Sequence, residues 1–267
     1  MKIVTKYPEG IFSWVDLSAR DVAVAKEFYS QLFGWSPVDT PLPGGGSYTN
    51  MMIDGHTVCG MGEMFEEDMP TVWTSYVNVA DAEATTQAAE DAGGTILMAP
   101  MDVMDAGRMA IIQDPTGAVF GLWQPNTHIG AEIVNQYNSL VWNELATKDI
   151  EAARDFYAAT FGWDFSVDES GAGGLGYTSV IANGRSSAGM MQMGEEWGEM
   201  PSNWSVYFMV EDLEASIARA TSLGATIVMP STQAGDVGKF SILQDPQGAG
   251  FTIIQAEYAD PPPGHEA

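Results

Sequence analysis

Two stretches decide the fold: WVDLSARDVAVAKEFYSQLFGW from Trp14 to Trp35, and WNELATKDIEAARDFYAATFGW from Trp142 to Trp163. Trp14, Leu17, Asp21, Ala25, Phe28, Tyr29, Phe33, Gly34 and Trp35 return 128 positions later as Trp142, Leu145, Asp149, Ala153, Phe156, Tyr157, Phe161, Gly162 and Trp163. Further along, the offset drifts to 129 and 131, as short loop insertions require: Tyr48, Gly55, Gly60 and Met61 match Tyr177, Gly184, Gly189 and Met190. Trp73, Tyr76, Val79 and Asp81 then match Trp204, Tyr207, Val210 and Asp212, and QDPTG (113–117) answers QDPQG (244–248). Self-similarity at a fixed spacing marks a duplication. Its boundary falls in the polar segment PNTHIGAEIVNQY (125–137), giving domains over 1–128 and 129–267.

Within a half the pattern repeats once more. A strand from Phe12 to about Leu17 precedes Asp21, an N-cap for a helix through Leu32 that Gly34 ends. Strands near 35–40, 47–53 and 58–64 follow, separated by Pro/Gly-rich or Asp-Gly turns. The same order restarts at Trp73, with a helix from Asp81 stopped by Gly93-Gly94 and strands near 95–103, 108–113 and 118–124. Each half therefore reads as βαβββ twice.

The 267 residues carry 36 Asp and Glu against 10 Lys and Arg, a net charge of −26. Nucleic-acid affinity rests on Lys and Arg against phosphate, so that partner class is excluded. A hydrophobic share of 45% with 8 Trp, 11 Phe and 9 Tyr supplies a packed core rather than a disordered acidic chain. No apolar run is long enough for a membrane span, and the start MKIVTKYPEG lacks a signal-peptide core, so a cytoplasmic protein without membrane partners is expected. Cys59 is the only cysteine, which leaves no intrachain disulfide and no Cys-based zinc site.

The order of elements, the FYxxxFGW helix end and the QDPxG ending resemble the vicinal oxygen chelate superfamily of glyoxalases, bleomycin-resistance proteins and extradiol dioxygenases, over nearly all of residues 10–256. The likeness is greatest to the tandem, two-domain actinobacterial subgroup labelled glyoxalase-like or hydroxylase. It implies an α+β fold in which paired modules curve one sheet around a cup, with helices outside and a ligand or metal inside.

Strand alternation sorts the cup face from the core face. On the first strand Phe12, Trp14 and Asp16 oppose Ser13, Val15 and Leu17; its repeat sets Trp142 and Glu144 against Val141, Asn143 and Leu145. The aliphatic face suits helix packing, which leaves Trp14/Asp16 and Trp142/Glu144 for the cups. On the fifth strand Tyr76 and Tyr207 are expected there too. A carboxylate desolvated beside Trp has its pKa raised, which is how a general acid or base is poised, so Asp16 and Glu144 are the candidate catalytic residues. The plainer reading is a carboxylate held by neighbouring hydrogen bonds.

Metal-dependent members, by the resemblance, place ligands at positions that fall on Trp14, Thr74 and Gly121 in the first half and on Trp142, Ser205 and Thr252 in the second. None is a usual ligand, and Glu63 and Gln192 on the fourth strands would lack partners. No metal or other cofactor is therefore expected; the alternative is a divalent metal held by Asp16, Glu63 and Glu144. The three histidines read as exposed: His56 in a hairpin turn, His128 in the linker and His265 in the tail. Gly171 to Gly176 spells GxGxxG but precedes a strand rather than a helix, so it reads as a loop rather than a dinucleotide site. Met51, Met52, Met61, Met64, Met190, Met191 and Met193 suit either a plastic ligand pocket or a loosely specified core. Arg108 and Lys239 recur before the seventh strands and suit either a ligand carboxylate or a surface ion pair.

The expected function is binding of a small, largely apolar or aromatic, neutral or cationic molecule by a monomer or homodimer, as bleomycin-resistance relatives sequester a drug. Trp14, Trp123 and Trp142 would stack on it, with Thr74, Tyr76, Ser205, Tyr207 and Thr252 around it. The alternatives are a glyoxalase-like lyase, isomerase or hydroxylase working through Asp16 or Glu144, and a protein-interaction module whose acidic surface meets a basic partner.

Overall fold

The computed structural model describes residues 2–43, 45–64, 69–168 and 176–256. The first half runs β1 (Phe12–Ala19), α1 (Val22–Phe33), β2 (Ser36–Pro41), β3 (Ser47–Ile53), β4 (His56–Glu63), β5 (Val72–Asn78), α2 (Ala82–Asp91), β6 (Thr95–Val103), β7 (Gly107–Gln113) and β8 (Val119–Pro125). The second repeats it: β9 (Leu140–Thr147), α3 (Ile150–Phe161), β10 (Asp164–Asp168), β11 (Tyr177–Ala182), β12 (Arg185–Gln192), β13 (Asn203–Met209), α4 (Leu213–Ser222), β14 (Thr226–Ala234), β15 (Gly238–Gln244) and β16 (Gly250–Ala256).

Each half closes its own eight-stranded sheet, in the order β2-β3-β4-β1-β5-β8-β7-β6 and its equivalent β10-β11-β12-β9-β13-β16-β15-β14. The seam between modules is the antiparallel pair β1·β5, or β9·β13, so the elements that carry Asp16 and Tyr76, or Glu144 and Tyr207, run side by side at the centre. The cups are thus built within a half.

α1 forms for local reasons. The Asp21 carboxylate accepts from the backbone N–H groups of Ala23 and Val24, and Gly34 ends the helix at φ 77°, a left-handed conformation that glycine adopts without strain. Its buried stripe is Ala25, Phe28, Tyr29, Leu32 and Phe33, a helical spacing of three and four.

The helices lie outside the cups, and the aromatic stripes of α1 and α3 face the joint between halves, leaving the remaining helix faces to solvent. Phe33 of α1 packs on Phe208 and Phe251 of the second sheet, and Phe156, Tyr157 and Phe161 of α3 pack on Phe120 of the first. Hydrogen bonds repeat the exchange. The Tyr29 hydroxyl donates to Asp245 Oδ2 at 3.1 Å and the Tyr157 hydroxyl to Asp114 Oδ2 at 2.9 Å. The indole N–H of Trp35 donates to the Asn138 carbonyl at 2.7 Å, and that of Trp163 to the Gly10 carbonyl at 2.8 Å. The QDPxG segments are turns, as their sequence says, through one oxygen of Asp114 and Asp245 that accepts backbone N–H groups. The other oxygen of each clasps the opposite half, which turn chemistry alone does not reveal. One apolar core runs through both halves.

Candidate functional site

Trp14 and Asp16 share a face of β1, and β4 runs parallel beside it with Asp16 opposite Gly60. A Cβ at Gly60 would sit 1.9 Å from the Tyr48 hydroxyl, so this glycine makes the space into which Tyr48 reaches from β3. The Trp14 indole N–H donates to that hydroxyl at 3.0 Å, and the hydroxyl donates to Asp16 Oδ2 at 3.1 Å. From β5 the Tyr76 hydroxyl reaches the same carboxylate at 3.3 Å. Burial pushes the Asp16 carboxyl up to about 6, and the donated hydrogen bonds of Tyr48 and Tyr76 hold it from rising further. Both tyrosines are driven well above the usual phenol range, first by burial and then by the adjacent carboxylate, so they remain donors.

The second cup repeats the set. Glu144 lies opposite Gly189, where a Cβ would stand 1.9 Å from the Tyr177 hydroxyl. Trp142 donates to that hydroxyl at 3.1 Å; Tyr177 donates to Glu144 Oε2 at 2.9 Å and Tyr207 to Oε1 at 2.8 Å. Burial raises the Glu144 carboxyl, opposed by Tyr207, Tyr177 and Trp142. Each cup therefore presents a half-buried carboxylate with two phenols on its two oxygens and an indole behind one of them. Such a group accepts a ligand N–H or cation, and Asp16, with its carboxyl raised to about 6, can also exchange a proton.

Of the residues expected from sequence, Trp14, Asp16, Tyr76, Trp142, Glu144 and Tyr207 are brought together in these two sets. Thr74 and Ser205 sit beside the carboxylates on β5 and β13, and Thr252 is buried next to Tyr207 on β16. Trp123 is on the cup face but spends its indole N–H on the His128 carbonyl at 2.8 Å. Tyr48 and Tyr177 were missed as site residues, although each recurs together with the glycine that admits it.

Several expectations are corrected. Phe12 does not join Trp14 and Asp16, because a bulge between Phe12 and Trp14 turns it into the joint against Trp163 and Trp204. At the equivalent bulge Val141 joins Tyr207, Met209 and Ile254 on the cup side. His128 is not an exposed linker residue: its ring stands edge-on to Trp14 at 4.5 Å and near Trp123 at 5.6 Å, and burial lowers its pKa. His56 is the first residue of β4 rather than part of the turn, half-exposed and 3.6 Å from Glu132, while His265 and Gly171 to Leu175 of the GxGxxG stretch lie outside the described residues. Met51, Met61 and Met190 are fully buried on the core face, whereas Met191 and Met209 belong to the second cup. Arg108 is held by Glu83 and Asp102 on the opposite face of its strand from the cup, as the ion-pair reading requires. Lys239, its equivalent, is exposed.

Asp16 and Glu144 stand in separate sheets, and among the described residues Asp16, Glu63 and Glu144 do not converge. The six positions matched to family ligands hold two indoles, three hydroxyls and a glycine. At that glycine, Gly121, a Cβ would lie 2.1 Å from the Tyr76 ring, so the tyrosine already fills the place of a ligand side chain. Divalent ions need several converging donors, and this set does not fit one. Among the described residues no three His, Cys, Asp or Glu side chains converge.

Comparison with known proteins bears on these cups. The model of the Glyoxalase/Bleomycin resistance protein/Dioxygenase superfamily matches residues 11–122 and 136–253. "Putative glyoxylase CFP32" of Mycobacterium tuberculosis (strain CDC 1551 / Oshkosh) is 39% identical over 255 residues, covering 94% of this chain and 97% of that protein. The anthracycline biosynthesis protein DnrV of Streptomyces peucetius is 35% identical over 268 residues, covering 94% and 95%. Among solved structures, the Mn(II)-bound glyoxalase from Novosphingobium aromaticivorans superposes with a TM-score of 0.64 at 16% identity, over 100% of this chain and 87% of that one. The 2,3-dioxygenase LapB from Pseudomonas sp. KL28 gives 0.63 at 14% identity, over 97% and 96%. At those identities the likeness is one of fold. No helix among the described residues is long and apolar enough to cross a membrane.

Proposed function

This chain belongs to the glyoxalase/bleomycin resistance protein/dioxygenase superfamily, and on that premise we propose that it binds a small, planar, largely apolar molecule without a metal. The observation that carries the reading is the carboxylate with two phenols and an indole, kept at the same register in both halves. Indole and phenol faces suit an aromatic ring system, and a half-buried carboxylate favours a ligand that brings an amine or another hydrogen-bond donor. The net charge of −26 draws a cation toward the protein. Resemblance to a protein of anthracycline biosynthesis supports a planar polycyclic ligand. Daunorubicin, a planar anthracycline with an amine, is the first probe: it should raise the melting temperature of the full chain, and the rise should vanish in the double variant Asp16→Ala/Glu144→Ala. No shift with daunorubicin or smaller aromatic amines sinks the reading.

A second reading, proton transfer, is favoured by the Asp16 carboxyl, held near 6 where it can both give and take a proton. Turnover of the methylglyoxal–glutathione hemithioacetal that survives chelators and is lost in Asp16→Asn or Glu144→Gln would establish it. Turnover abolished by chelators would mean that a metal acts, against the donor set.

A further inference from the structure

We infer that the second cup receives the ligand, while the first is occupied by the protein's own linker; this rests on the binding function proposed above. The two cups share a floor but not a wall. In the first, Trp123 stands on β8 and His128 folds back from the linker, its carbonyl taken by the Trp123 indole and its ring set edge-on to Trp14. An edge-to-face ring 4.5 Å from Trp14 occupies the place where an aromatic ligand would stack, and Trp14 is left 3% exposed.

In the second cup β16 carries Ile254 where β8 has Trp123. Trp142 is half-buried, and among the described residues no aromatic ring pairs with it. The surrounding side chains are larger, and one has turned from polar to apolar: Met209 replaces Asn78, Phe240 replaces Met109 and Met191 replaces Gly62. Phe240 and Trp142 pack on a separate small cluster of Val141, Tyr207, Met209 and Ile254, detached from the main core. A patch of this kind beside an aromatic face and one carboxylate fits a planar polycyclic amine, with Met adapting to its outline.

Two measurements on the full chain separate this inference from the function beneath it. In hydroxyl-radical footprinting without ligand, Trp142 should oxidise at least fivefold faster than Trp14, and His128→Gly should bring Trp14 up severalfold; equal rates at the outset overturn the sealing. In daunorubicin titration followed by its fluorescence, one molecule should bind per chain. Ile254→Trp, which gives the second cup the first cup's side chain, should weaken it at least tenfold, and Met109→Phe in the first cup should change it less than twofold. Two molecules per chain, or loss in Met109→Phe with Ile254→Trp unaffected, overturns the assignment. If daunorubicin and smaller aromatic amines fail to bind while the footprint holds, the binding function falls and the sealed first cup stands.

Discussion

Asp16 and Glu144 occupy the same place in two copies of one fold, yet their surroundings have parted in a compensated way. Asp is one methylene shorter, and in its cup the Tyr76 ring lies over Gly121, where a Cβ would come within 2.1 Å. Glu reaches further, and its partner Tyr207 stands beside Thr252 in the glycine's position. The tyrosine-to-carboxylate distances come out at 3.3 Å and 2.8 Å. What the halves conserve is a carboxylate that two phenols keep from rising further in pKa. They diverge in the wall, where Trp123 and His128 close one cup and Ile254 and Phe240 line the other. The constellation is thus separable from the access to it.

The largest expected break comes from the two tryptophans. Trp14→Ala removes a 3%-exposed indole and should cost about 3–5 kcal/mol, whereas Trp142→Ala, at a half-buried position, should cost less while losing aromatic-ligand binding. Chemical denaturation of both variants checks this, and equal costs would mean that the cups are equally packed.

The pH dependence is next in size. Asp16 has its carboxyl raised to about 6 from the usual 3.8, so the folded state holds a proton that the unfolded state releases. Stability from this group is fully present below the unfolded pKa and is lost as pH rises through 6, on the order of 2–3 kcal/mol at most. Asp16→Asn should flatten that slope and raise the melting temperature at pH 7.5. Glu144→Gln should act in the same direction, since its carboxyl is also raised by burial. A wild-type stability that climbs between pH 4 and 7, with the climb removed by Asp16→Asn, would contradict the assignment.

Gly60→Ala and Gly189→Ala each place a methyl 1.9 Å from a tyrosine hydroxyl and should cost about 1–3 kcal/mol by overpacking. Pairing each with Tyr48→Phe or Tyr177→Phe should recover part of that cost. No recovery would show that the glycines serve something other than those hydroxyls. The smallest effect is expected of Arg108→Ala, outside the cups: about 0–1 kcal/mol from surface ion pairs and no change in ligand binding.

Much of this was legible in the sequence because a duplication writes its signals twice. Helix α1 could be placed from Asp21 and Gly34, and the cup face of β1 from simple alternation. Alternation failed at Phe12 and Val141, because a bulge inserts a residue that no pattern of apolar positions announces. Tyr48 and Gly60 were visible as repeats, but their partnership needs two adjacent strands in register. His128 looked like solvent-exposed linker because nothing near it in sequence reveals that the chain doubles back over Trp14.

The sequence by itself determined the four modules, their order, and the residue types of the two carboxylate sites, since these depend on local caps, turns and side-chain periodicity. Only the tertiary structure decided that the aromatic helices of each half are buried on the other half, that Asp114 and Asp245 clasp across the joint, and that one cup is occupied by its own linker. Those outcomes rest on contacts between residues more than 100 positions apart in several cases, where shape and register, rather than the preferences of neighbouring residues, decide which groups meet.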